Sequence, residues 1–162
     1  MKKEEINELI ADNYDFSQFD KILEITNTYS LAITIAEKYK DIKFIVVLSN
    51  EIMEEIKNQI ESKDFQENFS IIIGSIFDNV PKGDNLYIVK NLLGTYEQRQ
   101  IFNILNNFSK SMLSNDRLLI VEEENYSLTE GELKQKLKKT NFILTNNIKV
   151  NDDISIIEVI KL

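Results

Sequence analysis

Three consecutive carboxylates, Glu122, Glu123 and Glu124, close the apolar run Arg117 to Val121, while Asp78 and Lys90 follow two earlier apolar runs. Acids at the carboxyl end of a strand lie where open α/β sheets place their ligands. Together with Asp78 they would offer oxygen ligands to Mg²⁺ or Ca²⁺. The demand for six or more well-placed oxygens makes a solvated acidic strand end the simpler expectation, and no metal is expected. Lys90 would serve as a general base only with a strongly lowered pKa, for which its neighbours in sequence supply no cause. A solvated or ion-paired lysine is the plainer reading.

The chain has neither cysteine nor histidine. That excludes disulfides, Cys/His zinc sites, Cys-His nucleophile pairs and Ser-His-Asp chemistry in one stroke. It also removes the side chain that most readily moves protons near neutral pH. Any catalysis must rest on Asp, Glu, Lys or Tyr.

The elements that would position these groups alternate along the chain. Ile6, Leu9 and Ile10 mark a short helix ending near Asn13. Lys21 to Thr26 and Ile42 to Leu48 are compact, β-branched runs suited to buried strands. Between them Leu31, Ala32, Ile35, Ala36 and Tyr39 recur at helical spacing. Asn50 is placed to cap a helix carrying Ile52, Met53, Ile56 and Ile60. Phe69 to Ile73 is a third strand stopped by Gly74, and Leu86 to Val89 a fourth, after the turn signal Pro81-Lys82-Gly83-Asp84.

A long helix over 96–113 is expected to turn Ile101, Phe102, Ile104, Leu105, Phe108 and Met112 inward. Arg117 to Val121 is the fifth strand, and Thr129 with Glu132 forms a capping box for the last helix. Phe142 to Val150 and Ile154 to Ile160 end the chain as a hairpin turned at Asn151-Asp152-Asp153, where Asp152 and Asp153 serve backbone geometry. The Lys134, Lys136, Lys138 and Lys139 group suits the wet face and end of a helix, complementing its dipole. Strand–helix alternation closed by a hairpin predicts an α/β sandwich with a mostly parallel sheet.

At 162 residues with an apolar share of 43%, the chain can fold as one globular domain burying roughly 70% of its unfolded surface. No apolar run approaches a membrane span, and the start Met1-Lys2-Lys3-Glu4-Glu5 lacks a signal-peptide core, so no membrane partner and a cytoplasmic location are expected. The net charge of −8 opposes a phosphate backbone, so no nucleic-acid partner is expected.

Four stretches resemble class I S-adenosylmethionine-dependent methyltransferases, and in particular the catalytic domain of the caffeate and hydroxyindole type of small-molecule O-methyltransferases. They are Tyr14-Asp15-Phe16-Ser17-Gln18-Phe19, Gly74-Ser75-Ile76-Phe77-Asp78-Asn79-Val80-Pro81, Tyr87-Ile88-Val89-Lys90-Asn91-Leu92-Leu93 and Leu118-Leu119-Ile120-Val121-Glu122-Glu123, in family order and spacing. The resemblance implies a Rossmann-like three-layer sandwich, with a mostly parallel seven-stranded sheet and a C-terminal antiparallel hairpin. It assigns 1–13 to an N-terminal helix and 14–162 to a single methyltransferase-like domain.

Measured against that family, the chain departs at each working position. The glycine-rich loop after strand one, where bare backbone approaches the cofactor, corresponds to Thr26, Asn27, Thr28, Tyr29 and Ser30. The acid that holds the ribose hydroxyls falls on Ser49, and a second family acid on Ser75. The family's catalytic histidine, in the turn after strand four, falls on Gly94, which takes no proton. Lys90 matches a lysine frequent in the family. Only Glu124 to Leu128 separates strand five from the last helix, where relatives insert helices that wall the acceptor pocket. Only a short helix precedes Tyr14, where relatives carry a dimerisation domain.

The expectation is therefore a degenerate O-methyltransferase-like domain without methyl-transfer activity, binding no cofactor and serving as a binding or protein-interaction module that pairs with an active methyltransferase, recognises a ligand in the altered cleft or meets a basic protein. The alternative is an active minimal methyltransferase that holds S-adenosylmethionine or S-adenosylhomocysteine in a non-standard site, with Asp78, Lys90 or Glu122 replacing the lost groups. A nucleotide-binding domain is less well supported, because neither Gly-x-x-x-x-Gly-Lys nor Gly-x-Gly-x-x-Gly occurs.

Overall fold

A computed structural model of the chain describes residues 1–27, 29–82 and 85–162, which form two compact units, 1–75 and 76–162. The first unit holds α1 (Lys3–Asp12), β1 (Lys21–Ile25), α2 (Leu31–Lys38), β2 (Lys43–Leu48), α3 (Met53–Ser62) and β3 (Phe69–Ile73). β2 runs between β1 and β3, parallel to both, in a register that aligns Ile22, Phe44 and Phe69. The Phe44 and Phe69 rings stack with centroids 4.8 Å apart. β3 has a partner on one side within this unit, and its Ile72 and Ile73 are 37% and 51% exposed.

The Tyr14 to Phe19 phrase has a structural meaning here. Tyr14, Phe16 and Phe19 are buried, and the Asp15 carboxylate accepts from Ser17 N at 3.0 Å and from Ser17 Oγ at 2.5 Å. The side chain thus closes a local turn while alternate aromatics anchor the chain ahead of β1. Those two hydrogen bonds hold the Asp15 carboxyl below its ordinary pKa.

α3 begins one turn later than an Asn50 cap would place it. Asn50 instead opens a 3-10 turn, Asn50–Ile52, and the α-helix proper starts at Met53 without a side-chain cap. Ile56 and Ile60 are its buried residues.

The second unit holds β4 (Leu86–Lys90), a single helical turn α4 (Leu92–Thr95), α5 (Gln98–Ser111), β5 (Arg117–Glu122), α6 (Glu130–Lys139), β6 (Phe142–Lys149) and β7 (Ser155–Lys161). β4 and β5 are parallel; β7 lies antiparallel between β5 and β6, with a bulge between Leu144 and Asn146. β4 and β5 are buried almost throughout, which is why they read as unbroken apolar runs. The turn between β6 and β7 is closed by Asn151 Oδ1, which accepts from Asp153 N at 2.9 Å and Ile154 N at 2.8 Å. The Thr129–Glu132 capping box forms as expected, with bonds of 3.2 and 3.1 Å.

α5 starts at Gln98 rather than Tyr96, because Glu97 and Gln100 form their own capping box while Tyr96 stays extended. Ile101, Ile104, Leu105, Phe108 and Met112 are buried as expected, each large apolar side chain contributing about 1.5–3 kcal/mol. Phe102 is a correction: it is 39% exposed, because it lies one residue, about 100°, off the buried stripe.

Candidate functional site

The loop after β1 is organised by a residue whose role the sequence reading missed. Glu24 sits inside β1 and is buried. Its Oε1 accepts from Thr26 Oγ1 at 2.7 Å, Ser30 Oγ at 2.8 Å and Ala32 N at 3.3 Å, and its Oε2 from Leu31 N at 2.8 Å. One carboxylate thus binds the Thr26 and Ser30 hydroxyls and two of the orphan amides opening α2. Ser30 Oγ also accepts from Ile33 N as the N-cap of α2. The available signal was an acid within an apolar strand, followed two and six residues later by hydroxyl side chains.

Asn27 is exposed, and its Oδ1 accepts from Tyr29 N at 3.0 Å, a local Asx turn. Tyr29 is 42% exposed, and its carbonyl accepts from the Asn7 side chain at 3.4 Å. Thr28 lies outside the described residues. Ser49, at the end of β2, and Ser75, two residues beyond β3, are both exposed.

In the second unit, the ends of β4 and β5 meet. Glu122 is buried; its Oε2 accepts from Leu93 N and its Oε1 from Gly94 N, each at 3.1 Å. Burial is the main cause that pushes the Glu122 carboxyl up to about 7; the amides of Leu92, Leu93 and Gly94 oppose it and the Glu123 charge adds to it. Asn91 takes the left-handed conformation, φ 56° and ψ 39°, and exchanges two bonds with Glu123: Nδ2 to Oε1 at 2.7 Å, and Glu123 N to Oδ1 at 2.9 Å.

Lys90 faces Glu123 at 3.6 Å, with both side chains only 3% exposed. The expected ion pair is therefore present, but Lys90 is not solvated, since it lies at the buried end of a central strand. Glu122 and Glu123 likewise are not a solvated strand end; only Glu124 is exposed. Asp78 is exposed, and among the described residues no group of three or more Asp or Glu side chains is arranged to hold a metal ion.

Gly94 is exposed and helical, and a Cβ built there would meet Glu122 Oε1 at 3.6 Å and Tyr126 Cβ at 3.9 Å. Tyr126 lines a cavity of about 390 Å³ with Asn125, Leu128, Glu130, Asn147 and Lys149. Burial first, then the Glu122 charge, pushes its phenol above the ordinary range. Tyr96 is half-buried and meets Phe77 edge-on at 5.6 Å.

The family model described as "O-methyltransferase domain" matches residues 3–161. The chain belongs to this O-methyltransferase domain family. Among curated relatives, "O-methyltransferase 7" of Dictyostelium discoideum is 28% identical over 115 residues, 70% of this chain and 32% of that protein. Among solved structures, the mitomycin 7-O-methyltransferase MmcR superposes with a TM-score of 0.87 at 16% identity, covering 99% of this chain and 54% of that one. The O-methyltransferase NcsB1 from neocarzinostatin biosynthesis, solved with S-adenosylmethionine and 2-hydroxy-5-methyl naphthoic acid, gives 0.85 at 16% identity, covering 94% and 52%.

These likenesses show the fold, a Rossmann-like α/β domain whose seven-stranded sheet is mostly parallel and ends in an antiparallel hairpin. The chain spans about a third of the length of the curated relatives it matches and about half that of the solved ones. Among its described residues no helix is long and apolar enough to cross a membrane.

In this O-methyltransferase domain, the cofactor positions implied by the resemblance hold a threonine turned inward to Glu24, an asparagine in its own turn and two exposed serines. The base position holds a glycine beside a buried glutamate.

Proposed function

We propose that this O-methyltransferase domain is a catalytically inactive member of its family, acting in the cytoplasm as a binding or protein-interaction module. The observation that carries this reading is the self-closed loop after β1. Thr26 and Ser30 give their hydroxyls to Glu24, so these two side chains and the first amides of α2 are spent internally. Ser49 and Ser75 offer neutral hydroxyls where the family's acids would accept charge-assisted bonds. Losing two such bonds at about 1.5–3 kcal/mol each weakens binding roughly a hundredfold or more. The residues present do not fit S-adenosylmethionine in the family's usual pose. The net charge of −8 favours a basic protein partner, and family membership favours an active methyltransferase as another.

Isothermal titration with S-adenosylmethionine and S-adenosylhomocysteine tests the reading. No heat of binding at micromolar cofactor is expected. A micromolar dissociation constant for either would overturn it.

A second reading is an active, minimal O-methyltransferase that binds the cofactor in a displaced pose. Family membership supports it, as does the buried polar corner of Lys90, Glu122 and Glu123 beside Gly94. The cofactor would supply the methyl group, and the chain's own carboxylates would have to hold the acceptor proton. Mass spectrometry of small molecules released from the purified protein separates the two readings, since retained S-adenosylhomocysteine supports only the second.

A further inference from the structure

The corner where β5 meets α4 brings together features that no cofactor is needed to explain. Glu122 reaches from the last position of β5 and holds two successive backbone amides, those of Leu93 and Gly94, at 3.1 Å each. The segment it holds begins at Asn91, whose left-handed backbone reverses the chain, and ends at the extended Tyr96. A second tie to the same segment comes from the next residue, through the two Asn91–Glu123 bonds. The turn from Asn91 to Tyr96 is therefore fastened at two points by neighbouring carboxylates.

The two fastenings differ in their charged surroundings. Glu123 is opposed by Lys90, both buried, so its charge is balanced in place. Among the described residues no cation pairs with Glu122; it is buried beside the Glu123 charge and near the Tyr126 ring. The other charged groups around the corner engage other partners. Lys149 bonds Ser155 Oγ, the residue paired with Glu122 across β7, and sits over the Tyr126 ring. Glu130 acts on Tyr126 rather than on Glu122, and Glu124 is exposed.

We infer that the Asn91–Tyr96 turn is a proton-operated latch, in which the ionised Glu122 carboxylate grips the Leu93 and Gly94 amides together and its protonated form releases one of them. The chemistry is that of the carboxyl group. Ionised, it offers two equivalent acceptor oxygens; protonated, one oxygen becomes a donor with weakened acceptor capacity facing an N–H. Charge-assisted bonds are roughly twice as strong as neutral ones, so the grip slackens when the proton arrives.

The midpoint falls near neutrality because burial dominates over the amide bonds at this group. The chain has neither histidine nor cysteine, the side chains whose ordinary values lie nearest that range. The latch goes beyond the proposed function and stands whether or not a cofactor binds.

The test is NMR on the whole chain. The Glu122 carboxyl carbon and the Leu93 and Gly94 amide protons are expected to titrate with one shared midpoint near pH 7. Hydrogen-exchange protection of at least one of the two amides, corrected for intrinsic exchange, should rise about five- to tenfold across that midpoint. In Glu122→Gln the amide titration should vanish. A wild-type Glu122 carboxyl carbon titrating in the ordinary glutamate range overturns the inference without any variant. Amides of residues 93 and 94 that titrate unchanged in Glu122→Gln overturn it equally.

Discussion

Glu122 Oε1 lies 3.1 Å from Gly94 N and 3.6 Å from the place where a Cβ on residue 94 would stand. The glutamate thus borders the position that the family resemblance gives to a catalytic histidine, while the glycine leaves that position without a side chain. Both approaches to the added Cβ are ordinary van der Waals distances. Gly94→His should therefore fold, with stability changed by less than about 1 kcal/mol in urea unfolding, since glycine is itself unfavourable in a helix. If the loop after β1 excludes the cofactor, this variant gains no methyl transfer to a phenol panel. Activity appearing with the histidine alone would place the defect at the base and not at the cofactor loop.

The Lys90–Glu123 pair is buried on both sides, so its two halves are not equivalent to the intact pair. Lys90→Met leaves Glu123 buried without its cation and should cost about 3–5 kcal/mol. The double variant Lys90→Met/Glu123→Gln removes both charges while keeping Asn91 a hydrogen-bonding partner. It should recover most of that loss, because a buried pair often gains little over neutral packing. A double-mutant cycle in urea measures the coupling, and a double variant as unstable as Lys90→Met alone would contradict the argument.

The strands and helices were largely legible because β1, β2, β4 and β5 are buried on both faces, and such strands appear as continuous β-branched runs. Where the reading strayed, a local polar bond was responsible. Gln100 answering Glu97 delayed α5, and the 3-10 turn at Asn50 displaced the start of α3. The site was half legible. The resemblance assigns roles to the positions of Gly94, Ser49 and Ser75, but what their neighbours do could not be read from the sequence. Lys90 was expected at the surface on general preference; its burial follows from a partner 33 residues away, Glu123, which one-dimensional patterns do not connect. The role of Glu24 was missed because two of its four partners are backbone amides, which every residue carries, and the other two are hydroxyls in a loop.

Glu24 makes the loop after β1 a test of whether glycine content alone bars the cofactor. Thr26→Gly/Asn27→Gly removes the Thr26–Glu24 bond and the Asn27 turn. With two bonds lost and greater freedom in the unfolded chain, a stability loss of about 2–3 kcal/mol is expected by thermal or urea unfolding. Cofactor affinity should remain undetectable, because Ser49 and Ser75 still lack charge. Micromolar S-adenosylhomocysteine binding by this variant would show that loop bulk, and not the missing acids, is the barrier.

The pH dependence of stability follows from Glu122. Its carboxyl is at about 7 when folded, against an ordinary value of 4.5, so between those limits the folded chain holds a proton that the unfolded chain releases. Stability from this group is complete below pH 4.5 and is lost as pH rises through 7, by up to roughly 3 kcal/mol. The local bonds to Leu93 and Gly94 strengthen over the same interval, yet the cost of burying the charge exceeds that gain. Urea unfolding at a series of pH values should give midpoints that fall from about pH 5 to about pH 8, and Glu122→Gln should flatten that slope. A wild-type profile that is flat over this interval, and unchanged by Glu122→Gln, would mean that the carboxyl is ionised throughout it and that its amide bonds outweigh its burial.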